Sequence, residues 1–387
     1  MLSKIIMKNF KSFKSKAVID FTKTNYAVLN DTNVADNGVL KGTVFVGANA
    51  SGKSNALLSI KVLLDLLFME KEINTRFLFC LFSDDTEFAI DYYFKIENRE
   101  IRYEIKINPV KGLIFEKLYL DKKVLLERMG LSGKSYFVDN KEISYNDNEV
   151  DKNTLLLRTI FFNTRFAGND TLKKWFEFLQ TSVYFNVFEK SVKSYGKEDL
   201  GLINYLKENG AGHINKFFDL YNFEQNIEYA NESKSDKFII KSGNSEEKML
   251  FFKRKGINIP IPFTEESLGN RTLLNMLPAF LKVLNNNGLL LVDEFSSGFH
   301  NDLEELIIRY FMKMSNKSQI IFVSHSTNLL STSILRPDQI YSVSFDEENG
   351  SQIKRFSDEQ PRVAQNLEKM YLSGVFGGLP KYEYENK

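Results

Sequence analysis

Residues 43–54 read "TVFVGANASGKS", and the last eight of them, Gly47–Ser54, decide the fold. They match the pattern G-x-x-x-x-G-K-[ST], in which glycine lets the backbone approach a phosphate without a Cβ in the way. An apolar strand precedes the loop, and apolar residues recur after it at spacings of three and four from Ala56 to Leu67. Strand, glycine loop and helix in this order predict a nucleotide-binding P-loop in an α/β protein. A chance glycine-rich turn would require neither flank.

The loop also predicts contacts with a nucleoside triphosphate. The amides from Ser51 to Ser54 open a helix, where unpaired N–H groups and the helix dipole favour an anion. Lys53 would reach the β and γ phosphates, and the Ser54 hydroxyl would bind Mg²⁺. We therefore expect ATP and Mg²⁺ as cofactors. The nucleotide-binding residues expected from the motif are Gly47, Ala48, Asn49, Ala50, Ser51, Gly52, Lys53 and Ser54.

Two neighbouring acids end an apolar strand in the stretch "GLLLVDEFSSGFH", residues 288–300. In proteins that hydrolyse nucleotides, an acid after a second buried strand holds Mg²⁺, directly or through a metal-bound water. Asp293 suits that role together with Ser54, while Glu294 suits the water that attacks the γ-phosphate. We predict Asp293 and Ser54 as metal ligands, and Glu294 and Lys53 as catalytic residues. The structural alternative is that one acid caps a helix or faces solvent.

A further apolar strand, "IIFVS", precedes His325, which lies 31 residues after Glu294 across one strand–helix–strand unit. Histidine can donate a hydrogen bond to a γ-phosphate or hold the attacking water, and we predict His325 as catalytic. A histidine at the end of a strand is more often structural, so this prediction depends on its spacing from Glu294.

Beyond these motifs the chain divides into four parts. Alternating residues from about 87 to 127 predict an antiparallel β region, and residues 170–230 show short helical patterns broken by glycine. There is no sustained heptad repeat, so we expect no long coiled coil. The expected parts are an N-terminal ATPase lobe over 1–163, a helical insertion over 164–235, a C-terminal ATPase lobe over 236–345 and a C-terminal tail over 346–387.

Together the motifs resemble ABC-type ATPases of the SMC and RecF kind. The opening "IIMKNFKSFKSKAVIDF" is similar to their first strands, "GANASGKSN", which adds Asn55, to their Walker A, "LLLVDEF" to their Walker B and "FVSHS" to their switch histidine. "SSGFH" takes the D-loop position. "EESLGNRTLLNML" stands where the signature helix belongs and keeps Ser267 and Gly269 of its S-x-G core. Considered apart from the resemblance, that stretch predicts only the start of a helix capped by a serine.

The resemblance implies a fold and an assembly. The fold is a P-loop NTPase of the ABC-ATPase head type, with a mixed sheet, an antiparallel β subdomain and a helical insertion. The assembly is a homodimer or higher homo-oligomer that sandwiches ATP, with Ser267 and Gly269 of one copy against the phosphate at Lys53 of the other. The glutamine loop of such ATPases has no evident equivalent, because the first glutamine is Gln180, and neither it nor Gln225 is assigned.

The C-terminal region narrows the resemblance to bacterial abortive-infection ATPases of the AbiL and RloA type, a group that includes the ATPase subunit of the PARIS anti-phage system. The similar stretches are "ILRPDQIYSVSFDEENGSQIKRFSD" and "NLEKMYLSGVFGGLP". This implies a sensor or regulator that responds to a phage protein and controls a separately encoded nuclease or toxin.

The sequence is also compatible with two other functions. A RecF-like ATPase of DNA maintenance would use the lysines of "KNFKSFKSK" and "FFKRKG", with nucleic acid as the partner, although such runs are usually solvated faces. The nucleotide-binding subunit of a membrane transporter is disfavoured by the strand-rich stretch and the short signature.

Composition narrows the class of protein further. The 387 residues are 43% apolar and 26% charged, as in ordinary folded proteins, and the net charge of +1 favours neither presence nor absence of nucleic acid. No apolar run approaches the ~18 residues that span a membrane, and the first residues lack a signal-peptide pattern. The single cysteine, Cys80, excludes an internal disulfide and a CxxC zinc site. We expect a cytoplasmic protein without a membrane partner.

Overall fold

The computed structural model describes residues 1–69, 74–137, 141–146, 149–235, 239–242 and 247–380, so residues 381–387 of the predicted tail lie outside the described residues. The strands are β1 (Leu2–Lys8), β2 (Ala17–Asp20), β3 (Gly42–Gly47), β4 (Phe88–Ile96), β5 (Arg99–Asn108), β6 (Gly112–Leu120), β7 (Lys123–Met129), β8 (Ser132–Ser135), β9 (Ile143–Tyr145), β10 (Val183–Asn186), β11 (Ser191–Ser194), β12 (Gln225–Ala230), β13 (Glu232–Lys234), β14 (Ile239–Lys241), β15 (Met249–Arg254), β16 (Ile257–Pro262), β17 (Leu289–Asp293), β18 (Gln319–Val323), β19 (Ile340–Asp346) and β20 (Gly350–Arg355). The helices are α1 (Asn30–Asn33), α2 (Lys53–Phe68), α3 (Leu156–Thr164), α4 (Asp170–Gln180), α5 (Leu202–Asn209), α6 (Gly212–Leu220), α7 (Leu268–Asn286), α8 (Asn301–Met314) and α9 (Leu367–Leu372).

A seven-stranded mixed sheet carries the predicted motifs, in the order β11-β10-β17-β18-β3-β19-β20. The strands from β10 to β19 run parallel to one another, and the edge strands β11 and β20 are antiparallel to their neighbours. The phosphate loop follows β3, the paired acids end β17 and His325 follows β18. Because the carboxyl ends of parallel strands share one edge of a sheet, these three motifs meet there.

An eight-stranded antiparallel sheet, in the order β2-β1-β4-β5-β6-β7-β8-β9, forms the predicted second β region. Along β4 every second residue is buried, as the alternation in the sequence predicts. This sheet and α2 cover one face of the seven-stranded sheet.

Two hydrophobic clusters lie on opposite faces of the seven-stranded sheet. Phe45 and Leu291 belong to the cluster shared with α2, α3, α4 and the antiparallel sheet, whereas Val44 and Val292 belong to the cluster shared with α5 to α8. Since neighbouring side chains on a strand point to opposite faces, each central strand contributes to both clusters. The motif-bearing strands are therefore buried on both sides, which fixes their ends relative to one another.

The segment predicted as a helical insertion, residues 164–235, forms helices α4, α5 and α6 and also strands of three sheets. Its strands β10 and β11 extend the seven-stranded sheet, and β10 pairs with β17 so that Asn186 lies opposite Asp293. The insertion therefore contributes to the sheet that carries the motifs as well as adding helices. The division of the chain into lobes stays a prediction.

Helix α7, with 19 residues, follows two small sheets, β12-β15-β16 and β13-β14. Among the described residues, no helix combines the length and the apolar composition needed to cross a membrane. The C-terminal region then closes the fold: β19 and β20 complete one edge of the seven-stranded sheet, and α9 joins the cluster that covers α7 and α8.

Candidate active site

The phosphate loop is packed so closely that two of its residues must be glycine. A Cβ on Gly47 would lie 2.3 Å from the carbonyl oxygen of Val343, and a Cβ on Gly52 would lie 2.3 Å from the Ser351 hydroxyl. Both glycines also have positive φ angles, 153° and 107°. The glycines of the motif therefore serve both the turn and the contact with β19 and β20 behind it.

A chain of hydrogen bonds braces the loop from behind. The Asn55 amide donates to the Ser12 hydroxyl at 2.8 Å, that hydroxyl lies 2.6 Å from the Ser351 hydroxyl, and Ser351 lies 2.6 Å from the Ser51 carbonyl oxygen. These side chains come from the turn after β1, from α2 and from β20. The loop is thus fixed by parts of the chain about 300 residues apart, as in the Ser351–Ser51 contact.

Lys53 folds back over the start of the loop. Its ammonium donates to the carbonyl oxygens of Gly47 at 3.0 Å and Ala48 at 2.7 Å. Burial lowers the pKa of Lys53, and the charges of Glu294 and Asp293 oppose that shift. The lysine is therefore a buried cation close to two carboxylates.

Ser54 and Asp293 come together as the sequence predicts. The Ser54 hydroxyl donates to Asp293 Oδ1 at 2.9 Å, and the Tyr184 hydroxyl donates to Asp293 Oδ2 at 3.3 Å. Burial is the main cause that raises the pKa of Asp293, and the charge of Glu294 adds to it. Burial and the charge of Asp293 raise the pKa of Tyr184 to about 12.

Glu294 and His325 face each other beside this pair. Glu294 Oε2 lies 3.5 Å from His325 Nε2 and accepts a hydrogen bond from the Ser297 hydroxyl at 3.2 Å. The backbone amide of His325 donates to the Ser296 hydroxyl at 3.0 Å, which ties the loop after β18 to the loop after β17. Burial and the nearby Lys53 ammonium lower the pKa of His325, and Glu294 opposes the shift. The lowered pKa favours the neutral imidazole at pH 7.

Lys53, Glu294 and His325 line one cavity of about 700 Å³ together with Ser54, which bonds to Asp293. Phosphate loop, paired acids and histidine loop therefore share a cleft at the carboxyl edge of the sheet. The lining residues are Asn49, Ala50, Gly52, Lys53, Ser54, Asn55, Phe188, Glu294, Ser297 and His325.

Two residues were not predicted: Tyr184, which bonds to Asp293, and Phe188, which lines the cleft. Tyr184 lies on β10, and Phe188, with 77% of its surface exposed, follows that strand into the cavity. The amide of Val187 donates to the Asp293 carbonyl oxygen at 3.0 Å, so the chain runs beside the acids. The signal for this strand was the alternation in "SVYFNV", where Val183, Phe185 and Val187 are buried.

Ser267 and Gly269 do not line this cavity in their own chain. Ser267 is exposed and caps α7 by accepting a hydrogen bond from the Asn270 amide at 3.4 Å, as expected of a serine-capped helix. A Cβ on Gly269 would lie 3.1 Å from the Gly298 carbonyl oxygen, so the start of α7 packs against the loop after the paired acids.

Neither glutamine considered above lies in the cleft. Gln225 exchanges hydrogen bonds with Asn270 at 3.0 and 3.1 Å, next to the start of α7. Gln180 lines a separate cavity together with Arg158 and Tyr195.

The residues present fit a magnesium ion that arrives with a nucleotide. Over the described parts of the chain, no group of three or more His, Cys, Asp and Glu side chains could hold a metal ion by itself. Ser54 and Asp293 offer a hydroxyl and a carboxylate oxygen at one point. Mg²⁺ is commonly bound by one or two such protein oxygens together with phosphates and water.

Comparisons with known proteins address the family and the fold of the chain. A family model described as "AAA domain, putative AbiEii toxin, Type IV TA system" matches residues 43–331. Among solved structures, the SMC head bound to the C-winged helix domain of ScpA is similar with a TM-score of 0.53 and 15% identity, over 91% of this chain and 97% of that chain. The SMC head domain from Thermotoga maritima gives a TM-score of 0.49 and 17% identity, over 92% and 98%. No curated protein sequence matches significantly. The likeness to the SMC head bound to ScpA, with its TM-score of 0.53, confirms the predicted fold of the ABC-ATPase head type.

Proposed function

The chain belongs to the family of AAA domains described as putative AbiEii toxin of type IV toxin–antitoxin systems, and from that premise we propose that it regulates anti-phage defence by hydrolysing ATP. The general activity of the family is that of a P-loop ATPase related in fold to SMC heads. Abortive infection as the process is our proposal, supported by the family description. The finer likeness to the AbiL and RloA type and to PARIS rests on the C-terminal sequence alone.

The observation that carries the ATPase proposal is the 2.9 Å contact between Ser54 and Asp293 in one cleft with Lys53, Glu294 and His325. Residues 239 positions apart in the chain are brought together there. Few functions other than binding a metal–phosphate complex require a hydroxyl, two acids and a buried lysine at the carboxyl edge of a parallel sheet.

The same geometry indicates how ATP would bind. The ammonium of Lys53 now bonds to two loop carbonyls, and phosphate oxygens would replace them as charged acceptors. The amides that begin α2 would bind the same phosphates. Mg²⁺ held by Ser54 and Asp293 would neutralise charge that develops on the phosphates.

Hydrolysis would then fall to Glu294 and His325. Glu294 does not continue strand β17, because its backbone has a left-handed conformation with a φ angle of 57°. Its carboxylate oxygen Oε2 lies 3.5 Å from His325 Nε2. A carboxylate there can orient and deprotonate a water, while a neutral imidazole can donate a hydrogen bond to the γ-phosphate. Asp293 would thus bind the magnesium ion, and Glu294 would activate the attacking water.

We also propose that the active unit is a homodimer or a higher homo-oligomer. Ser267 is exposed at the N-terminus of α7, the end at which a helix dipole favours an anion, yet it does not line the cavity of its own chain. A second copy could therefore offer this terminus to the nucleotide. A separately encoded nuclease or toxin as effector, and a phage protein as trigger, complete the proposal and rest on the resemblance of the C-terminal sequence to abortive-infection ATPases.

The RecF-like alternative, with DNA as the partner, finds less support. In the second lysine run, Lys253 pairs with Glu228 at 2.8 Å and Arg254 pairs with the buried Glu266 at 2.9 Å. Charges already paired with acids contribute little to phosphate binding. Affinity for duplex DNA that falls steeply between two salt concentrations, together with DNA-stimulated turnover, would favour this alternative over defence.

The experiment that tests the proposed activity compares Lys53→Ala with a control, Lys173→Ala. Lys173 lies on α4 and its side chain is 42% exposed. We expect the parent and Lys173→Ala to bind a fluorescent ATP analogue with Mg²⁺ and to hydrolyse ATP. Lys53→Ala should lose affinity by at least roughly tenfold, because a charged hydrogen bond to phosphate is removed. Equal affinity in both variants would contradict the placement of the phosphates.

A further inference from the structure

The last described residues, Asn366–Pro380, form a tail segment that reaches the phosphate loop. The carbonyl oxygen of Gly378 accepts a hydrogen bond from the Ala48 amide at 2.8 Å. The carbonyl oxygen of the same Ala48 accepts the hydrogen bond from Lys53 at 2.7 Å. One residue of the loop is therefore held by the tail segment on one side and by the lysine on the other.

The tail segment is anchored firmly enough to hold the loop. Phe376 is 1% exposed and stacks on Phe356 with ring centroids 3.7 Å apart. The carbonyl oxygen of Phe376 accepts a hydrogen bond from the Ser342 hydroxyl at 2.6 Å. Gly378 has a φ angle of 77°, and a Cβ there would lie 3.2 Å from both Ser342 Cβ and the Val343 carbonyl oxygen. The segment fits against β19 without spare room.

The tail segment also contacts the histidine loop. Glu368 on α9 accepts a hydrogen bond from the Thr327 hydroxyl at 2.5 Å, two residues beyond His325. One short segment thus contacts both the phosphate loop and the loop that carries His325, and residues of both loops line the cleft. Neither contact follows from the motifs that predict the ATP site.

We propose that the tail segment is a positioning element of the ATP site, which holds the phosphate loop through Gly378 and the histidine loop through Glu368. The inference rests on the proposed binding of ATP at Lys53 and adds residues that touch neither nucleotide nor metal. Since hydrogen bonds fix a loop before a ligand arrives, their loss lowers affinity by leaving more of the loop to be ordered on binding.

Two glycines of the tail segment make a matched pair for the test. Gly378 and Gly374 both have left-handed backbones, with φ angles of 77° and 86°, so alanine strains each in the same way. A Cβ on Gly374 meets nothing within 4 Å, whereas a Cβ on Gly378 presses on Ser342 and Val343. We expect both variants to lose thermal stability without nucleotide, and Gly378→Ala to lose more because of these two contacts. Gly378→Ala alone should bind a fluorescent ATP analogue with Mg²⁺ on the order of tenfold more weakly.

Glu368→Ala provides a second readout for the histidine loop. It removes the acceptor for Thr327 far from the phosphate loop contact, so we expect turnover to fall several-fold while ATP affinity changes little. A general loss of folding would lower both together. If Glu368→Ala keeps the turnover of the parent, the tail segment does not position the histidine loop.

Equal ATP affinity in Gly378→Ala and Gly374→Ala would overturn the role of Gly378 while leaving the proposed ATPase intact. A parent chain that binds no ATP would instead overturn the proposed function and this inference with it. If Gly378→Ala does not fold, Ser342→Ala replaces it as the test, because it removes the hydroxyl that donates to Phe376 at 2.6 Å and otherwise makes only a 3.4 Å contact with the Lys354 carbonyl oxygen. Weaker ATP binding in that variant supports the proposal, and unchanged binding overturns it.

Discussion

Glu294 leaves the direction of the strand that leads to it, and this explains how two adjacent acids can have different roles. Asp293 is the last residue of β17, whereas Glu294 has a left-handed backbone with a φ angle of 57°. Such a conformation is uncommon for a residue with a side chain and costs on the order of 1 kcal/mol or more. Here it separates the carboxylate near Ser54 from the carboxylate near His325.

Replacing Glu294 by Gln should separate ATP binding from hydrolysis. The amide keeps the shape of the side chain but cannot take a proton, so we expect turnover to fall about 10²- to 10⁴-fold with ATP affinity retained. Steady-state hydrolysis and equilibrium binding measure the two effects. Glu305→Gln, in an exposed ion pair on α8, is the matched control and should behave as the parent. Turnover of Glu294→Gln near the parental rate would mean that another group activates the water.

Replacing Asp293 by Asn should stabilise the protein when no Mg²⁺ is present. Burial raises the pKa of Asp293 above its unfolded value, so the stability it contributes is greatest at low pH and is lost as pH rises through the folded pKa. At neutral pH the buried carboxylate is therefore a cost that the amide avoids. We expect the thermal midpoint of Asp293→Asn to exceed that of the parent by roughly 1–3 °C at pH 8 and to converge with it near pH 4. A difference between the two proteins that does not depend on pH would contradict this cause.

Among the elements, strands with strong patterns were predicted, whereas the short strands β10, β11 and β12 within the segment predicted as helical were missed. β3, β17 and β18 are short apolar runs next to recognisable loops, and all of them form. β10 has only four residues between α4 and a polar loop, so its alternation gave too little signal against the helical patterns nearby. Long-range contacts such as Gly378 to Ala48 could not be predicted, because nothing local in the sequence encodes them.

Phe188 follows strand β10 and lines the cleft, so we expect it to contribute to nucleotide binding. The side chain is 77% exposed, so Phe188→Ala should leave the thermal midpoint unchanged. Because an aromatic ring beside the phosphate loop can stack on a base, we expect ATP affinity to fall roughly five- to tenfold. The control is Val110→Ala, an apolar residue that is 86% exposed and outside the cavity. Equal affinity in the two variants would remove Phe188 from the nucleotide site.

For the whole molecule, the proposed nucleotide sandwich predicts a change of mass when ATP binds. Glu294→Gln with ATP and Mg²⁺ should shift from monomer to dimer in size-exclusion chromatography with light scattering, because bound ATP is no longer cleaved. Adding Ser267→Arg should abolish the dimer and leave ATP binding to each chain intact, since Ser267 is exposed and outside the cavity. A mass that does not change on addition of ATP would contradict dimerisation by a nucleotide sandwich.

The proposed activity requires that a triphosphate and a divalent ion occupy the cleft between the phosphate loop and the paired acids. A crystal structure with a nonhydrolysable ATP analogue and Mn²⁺, located by its anomalous signal, measures this most directly. We predict a single manganese peak within about 2.5 Å of the Ser54 hydroxyl, with Asp293 bound to the ion or to one of its waters. A manganese peak or a triphosphate found away from these two side chains would contradict the proposed binding of ATP and its metal ion in this cleft.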